Sequence, residues 1–193
     1  MKIKITFTEE VLGTSSSNPD IHREFIASKA PDAATIEQEV EAIGVDASIE
    51  KSTTIFPKRD GKPFFWDYQI KGFFKDACAS LARVPGTKSN AQKAYRKVID
   101  GTIFVFPREI PVTLAGSVGH CQRPLRAETA QGPRVALANS ETLPAGSSMD
   151  IEIRLLDERN EKMVAEWLDY GALRGLGQWR NSGKGRFSWE EIK

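Results

Sequence analysis

The sequence predicts an α+β fold built on a βαββαβ core with two large insertions. Three observations predict it. Residues 2–7 and 149–155 alternate polar and apolar side chains, the period of a half-buried strand. Residues 70–84 carry apolar side chains at helical spacing. A second helical pattern at 161–173 runs through a glycine-rich loop into a last short strand.

The elements follow in order. Ile3, Ile5 and Phe7 face inward from the first strand. Residues 13–19 have loop composition, and short helices are expected over 20–29, with Asp20 as N-cap, and over 35–43, stopped by Gly44. Residues 52–56 form a possible strand and 57–63 a hairpin-like turn. The aromatic cluster at 64–68 is read as core packing, with base stacking as the alternative. In the first core helix Ile70, Phe73, Phe74, Ala77, Cys78, Leu81 and Ala82 share a face, and Pro85-Gly86 ends it. Residues 88–97 are basic and read as a helix or a lid.

Residues 103–106 are a buried-type strand closed by Pro107, and 110–114 a second strand nearby. A long polar connection is expected over 116–133, then a short strand over 134–137. In the second core helix Met163, Val164, Trp167, Leu168 and Gly171 share a face, and 185–190 make the last strand. The six firm elements stand in the split βαβ, or ferredoxin-like (RRM-like), order, with insertions at about 13–63 and 112–145. One domain over 1–193 is expected.

Composition excludes little. The chain has 193 residues, a net charge of +1, 40% hydrophobic and 27% charged residues, which is ordinary for a globular domain. The charge is unevenly placed: residues 32–50 hold six acids and no base, whereas 71–97 hold seven bases and one acid, Asp76. A basic groove with an acidic exterior is expected. Cys78 and Cys121 lack metal-ligand spacing, so neither a metal site nor a cofactor is expected. No apolar run is long enough to cross a membrane and the N-terminus has no signal-peptide core, which predicts a cytoplasmic location.

The chemistry concentrates in residues 171–189, which carry five of the 15 glycines, four bases, two tryptophans and no acid. Gly175, Gly177, Gly183 and Gly185 are expected to turn backbone N–H groups towards a phosphate. Arg174, Arg180, Lys184 and Arg186 are expected to neutralise phosphates, with Lys71, Lys75 and Arg126 as further contacts. Phe187 and Trp189 go to the core. A Walker A loop is excluded: one residue too many separates Gly177 from Gly183, no Ser or Thr follows Lys184, and the segment enters a strand.

The run Gly175-Leu-Gly177 to Gly183-Lys-Gly185-Arg-Phe, between the second helix and the last strand, resembles the glycine-rich loop of the repeat-associated mysterious protein (RAMP) superfamily of CRISPR–Cas systems. Residues 70–77 are similar to a helix start of crRNA-backbone subunits, without its Ser-Ser, and 134–153 to the run before their second helix. The resemblance covers about 64–190 plus the first strand. It implies an RNA-binding protein that grips guide RNA, as a subunit or a phage-encoded relative, with crRNA-like RNA, CRISPR-complex proteins or copies of itself as partners.

The reading leans towards binding without catalysis. The alternative is a metal-independent RNA endonuclease using His22 or His120, the two histidines of the chain. Asp20 occupies the region where some backbone subunits carry a cleaving aspartate, but its surroundings do not match.

Overall fold

The computed structural model of the protein describes residues 1–16, 53–129 and 132–192. The helices expected over 20–29 and 35–43, the acidic run, Asp20 and His22 lie outside the described residues.

The expected core elements are present. β1 (Lys2–Phe7), β7 (Ile103–Phe106), β11 (Ser148–Leu155) and β12 (Phe187–Glu191) form one antiparallel sheet in the order β12-β1-β11-β7. Register places Ile5 opposite both Met149 and Trp189, and Phe7 opposite Phe187. Because side chains alternate along a strand, this register puts Ile3, Ile5, Phe7, Val105, Met149, Ile151, Ile153 and Phe187 on the buried side.

Two helices cover that side. Helix α1 (Asp67–Leu81) buries Ile70, Phe73, Phe74, Ala77 and Cys78. Its start is set by Gln69, whose side-chain oxygen accepts the Trp66 N–H at 2.8 Å. A shorter helix, α2 (Tyr95–Thr102), leads directly into β7, and the second covering helix comes later in the chain. Helix α3 (Glu161–Arg174) buries Met163, Val164, Trp167, Leu168 and Gly171. The layers meet through aromatic rings: Phe73 lies 5.4 Å from Phe187, and Phe74 lies 5.4 Å from Trp167, centroid to centroid. A Cβ on Gly171 would fall 2.1 Å from the Phe187 ring, so this position admits no side chain while the ring stays in place.

The insertions build further sheets. β2 (Val11–Leu12), β3 (Ser15–Ser16) and β4 (Thr53–Ile55) join β10 (Gly132–Leu143) in the order β2-β10-β4-β3, and β9 (Gly119–Thr129) pairs with β10. The polar connection expected over 116–133 is therefore largely one arm of a long hairpin, and the short strand expected at 134–137 belongs to a 12-residue one. The hairpin escaped notice because its strands lack an apolar alternation; backbone pairing from Gly119↔Thr142 to Thr129↔Gly132 carries it instead. Glu141 ties this sheet to the next segment: its carboxylate, buried, accepts the Phe56 N–H at 3.0 Å and the Lys58 ammonium at 2.7 Å. β5 (Lys58–Arg59), β6 (Lys62–Trp66) and β8 (Glu109–Pro111) form a third small sheet, turned at Asp60-Gly61 as the sequence predicts. Phe64, Phe65 and Trp66 are buried, as expected for core packing.

The basic segment after α1 is one 3₁₀ turn (Ser89–Ala91) followed by α2, and it is clasped to α3. Glu166 accepts the Lys88 and Ser89 N–H groups at 2.7 and 3.1 Å and the Ser89 hydroxyl at 2.7 Å, while the Trp167 indole donates to Ser89 Oγ at 2.9 Å.

Two helical glycines predict opposite outcomes. Gly171→Ala should cost about 1–3 kcal/mol through overpacking against Phe187. Gly72→Ala, where a Cβ meets nothing within 4 Å, should stabilise by up to about 1 kcal/mol through helix propensity. Urea denaturation of the two variants checks both.

Candidate nucleic-acid interface

The glycine-rich loop is held at both ends. Gly175 ends α3 with φ 78°, its N–H donating to the Gly171 carbonyl at 3.0 Å. At the far end Gly185 has φ 72°, and a Cβ there would fall 1.8 Å from the Leu176 carbonyl oxygen; no other residue fits. The loop is laid against the chain that follows β1. Thr8 N–H donates to the Arg186 carbonyl at 2.8 Å, Gly185 N–H to the Glu10 carbonyl at 2.8 Å, and Lys184 pairs with the Glu10 carboxylate.

Three of the backbone donors expected to face a phosphate have partners within the chain. The N–H groups of Gly175, Gly183 and Gly185 donate to Gly171, Arg180 and Glu10 carbonyls of the chain itself. Gly175 and Gly185 are demanded by the close approach of backbone to backbone and Gly183 by its φ of 85°, and the donors of all three are already used. Lys184 is likewise engaged by Glu10, and Arg186 Nε donates to the Leu173 carbonyl at 3.2 Å, serving the end of α3.

What faces outward is a set of guanidinium groups. Arg174 Nε and Arg180 Nη1 both donate to Asp76 Oδ2, at 3.0 and 2.8 Å, and Arg174 Nη1 donates to Asn181 Oδ1 at 2.5 Å. Arg123 reaches in from β9: its Nη1 donates to Ser182 Oγ at 3.0 Å and its guanidinium lies 5.1 Å from the centre of the Trp179 ring. Arg123, Arg174 and Arg180 line an open cleft of about 640 Å³ with Trp179, Asn181 and Ser182, and no carboxylate is among its described lining residues. Three guanidinium groups against one carboxylate behind them leave the cleft positive.

Other expected contacts lie elsewhere. Lys75 pairs with the Asp100 carboxylate of α2 at 2.5 Å; Lys71 donates to the Asp100 carbonyl at 3.3 Å and covers Phe104. Arg126 is placed in β9 opposite Val135, and its side chain lies outside the described residues. His120 is exposed on β9 opposite Glu141. On the open face of the core sheet the register sets Lys2 opposite Glu152 and Lys4 opposite Asp150 and Glu190, and Arg154 Nε donates to the Glu152 carboxylate at 2.7 Å. Cys78 is buried, and burial pushes its thiol above the ordinary range, away from the reactive thiolate. Among the described residues no three His, Cys, Asp or Glu side chains gather as a metal site, and no helix is long and apolar enough to cross a membrane.

Sequence reasoning missed Arg123 as a member of the site. It had a signal, a base in a polar stretch beside His120, but nothing local tied that stretch to residue 179.

The chain shares its fold with a chain of the Type III-B Cmr-beta complex bound to cognate target RNA. The alignment covers 100% of this chain and 58% of that one, with a TM-score of 0.53 and 11% identity. The chain thus spans somewhat over half the length of that relative. Weaker likenesses are to a Type IV-B CRISPR complex (TM-score 0.46, 12% identity, 98% of this chain and 88% of that one) and to Cmr6 from Pyrococcus furiosus (0.48, 11%, 100% and 97%). No family model and no curated protein matches the chain. At such identities the likeness is one of fold, and of these three only the first exceeds a TM-score of 0.5.

The shared carboxylate predicts a measurable coupling. The Asp76, Arg174 and Arg180 side chains are 26–30% exposed. A double-mutant cycle of Asp76→Ala with Arg180→Ala, read by urea denaturation, should therefore return a coupling of about 1 kcal/mol.

Proposed function

We propose that the protein binds single-stranded RNA of the guide (crRNA) type through the arginine cleft, as a member of a CRISPR-type ribonucleoprotein or a phage-encoded relative of one. The observation that carries this reading is the convergence of Arg123, Arg174 and Arg180 on one cleft with no described carboxylate in its lining. Arginine forks suit phosphate, and an exposed guanidinium beside a half-buried indole suits a sugar–phosphate chain with bases to stack.

Three further points support it. The order β12-β1-β11-β7, with α1 and α3 on one side, supports a ferredoxin-like core within a single domain. The fold likeness is to a chain from a complex bound to target RNA. The glycine-rich loop stands between the second core helix and the last strand, where the RAMP resemblance puts it. In this reading the glycines shape the loop and the arginines contact RNA. Lys184 and Arg186 brace the loop, and Lys71 and Lys75, held by Asp100, make no phosphate contact. Partners are RNA together with complex proteins or further copies of this chain.

Fluorescence anisotropy with a labelled single-stranded RNA of about a dozen nucleotides tests this. Affinity should fall with salt, and Arg123→Ala/Arg180→Ala should weaken binding by about tenfold or more. The double variant should also flatten the log K against log salt slope by about 1.4, at roughly 0.7 per lost phosphate contact. Lys71→Ala should stay within about twofold of wild type, since its ammonium is engaged elsewhere. A double variant that binds as tightly as wild type refutes the assignment.

A further inference from the structure

A second cleft, of about 550 Å³, shares Gly177 and Arg180 with the arginine cleft. Its character differs. Phe65, Phe73 and Leu176, all buried, form an apolar floor, and Tyr68 presents a ring that is 36% exposed. Thr14, Ser15, Ser16 and Gln69 supply hydroxyl and amide groups, and Arg180 is the one charged residue among its described lining. Its size falls in the range of about 300–1,000 Å³ usual for small-ligand sites, and an apolar floor with a few placed polar groups is the usual lining.

The polar groups are set in advance. Gln69 spends its oxygen on the Trp66 N–H at 2.8 Å and its amide on Thr14 Oγ1 at 2.6 Å. A hydroxyl that accepts from an amide keeps its own proton to donate, so Thr14 is a poised donor. Arg180, between the clefts, has five N–H donors, and Asp76 takes one of them. A phosphate on Arg180 from the arginine side therefore leaves the attached sugar and base next to a neutral, aromatic, hydroxyl-bearing cleft.

We infer that this second cleft receives one unstacked nucleobase with its ribose, from the strand whose phosphate lies against Arg180. The inference rests on the RNA reading of the arginine cleft and adds to it: recognition extends from the backbone to one base taken out of the stack. The base lies on the apolar floor beside Tyr68, and the hydroxyl groups, Thr14 first among them, meet the ribose and the base edge.

Gly72 provides the test. It lies mid-helix, exposed, on the cleft lining, and a Cβ there meets nothing within 4 Å. Gly72→Leu fills the cleft mouth while improving helix propensity; Gly72→Ala improves propensity without filling it. The probes are a labelled single-stranded RNA of about a dozen nucleotides and a chain of equal length made of abasic ribose phosphates, read by anisotropy. Wild type and Gly72→Ala should prefer the base-bearing strand by about tenfold. In Gly72→Leu that preference should fall several-fold, with affinity for the abasic chain unchanged. Tyr68→Ala, made independently, should lower the preference in the same direction. A folded Gly72→Leu that keeps the wild-type preference overturns the inference. Equal wild-type binding of the two chains overturns it too, and leaves the phosphate reading standing if Arg123→Ala/Arg180→Ala still weakens both. Wild type that binds neither chain at low salt overturns both readings.

Discussion

The Phe187 ring occupies the space where a side chain on residue 171 would be, and α3 can lie against β12 because that residue is glycine. The contact is between the last turn of one element and the first residue of the next, with the glycine-rich loop between them. It fixes both ends of the loop in space. Leu176 and Gly185 then close on each other through the Leu176 N–H and the Gly185 carbonyl at 2.8 Å, leaving residues 177–184 as a rigidly mounted projection. Rigid mounting matters for a site of this kind, since side chains ordered in advance lose less freedom when a ligand arrives.

Asp76 does the corresponding work for the side chains. One carboxylate oxygen receives donors from Arg174 and Arg180, so two like charges are held side by side. Without a shared counter-charge they would repel, and each long side chain would sample many rotamers. The single acid of the basic run 71–97 is thus spent on the two arginines of the loop. Its cost is one unit of positive charge, which Arg123, arriving from another sheet, restores in the cleft.

The proposed RNA interface thus divides labour in a way the glycine pattern alone does not suggest. Glycines at 175, 183 and 185 serve the backbone, with their N–H groups bonded inside the chain. Lys184 and Arg186 fasten the loop to Glu10 and to the end of α3. On the open sheet face, the side the core topology leaves uncovered, strand register sets lysines opposite carboxylates.

The core was legible in the sequence because it rests on local periodicity. Alternation at residues 2–7 and 149–155 and the helical face from Ile70 to Leu81 follow from burying one side of each element, whatever the neighbours are. Cys78 and Phe187 were readable for the same reason, and the aromatic run at 64–66 from the apolar bulk of its rings. The β9–β10 hairpin was not, because polar strands stabilised by backbone pairing leave no apolar period. The site was half legible: the sequence marked Arg174 and Arg180 by their place in an acid-free loop, but their meeting with Asp76 spans 98 and 104 residues, and Arg123 meets Ser182 across 59. By itself the sequence determined which segments are strands and helices of the core and where positive charge gathers. Only the tertiary structure decided which charges share a cleft and which are spent on bracing, because sheet register and helix packing set contacts at that range and no local pattern encodes them.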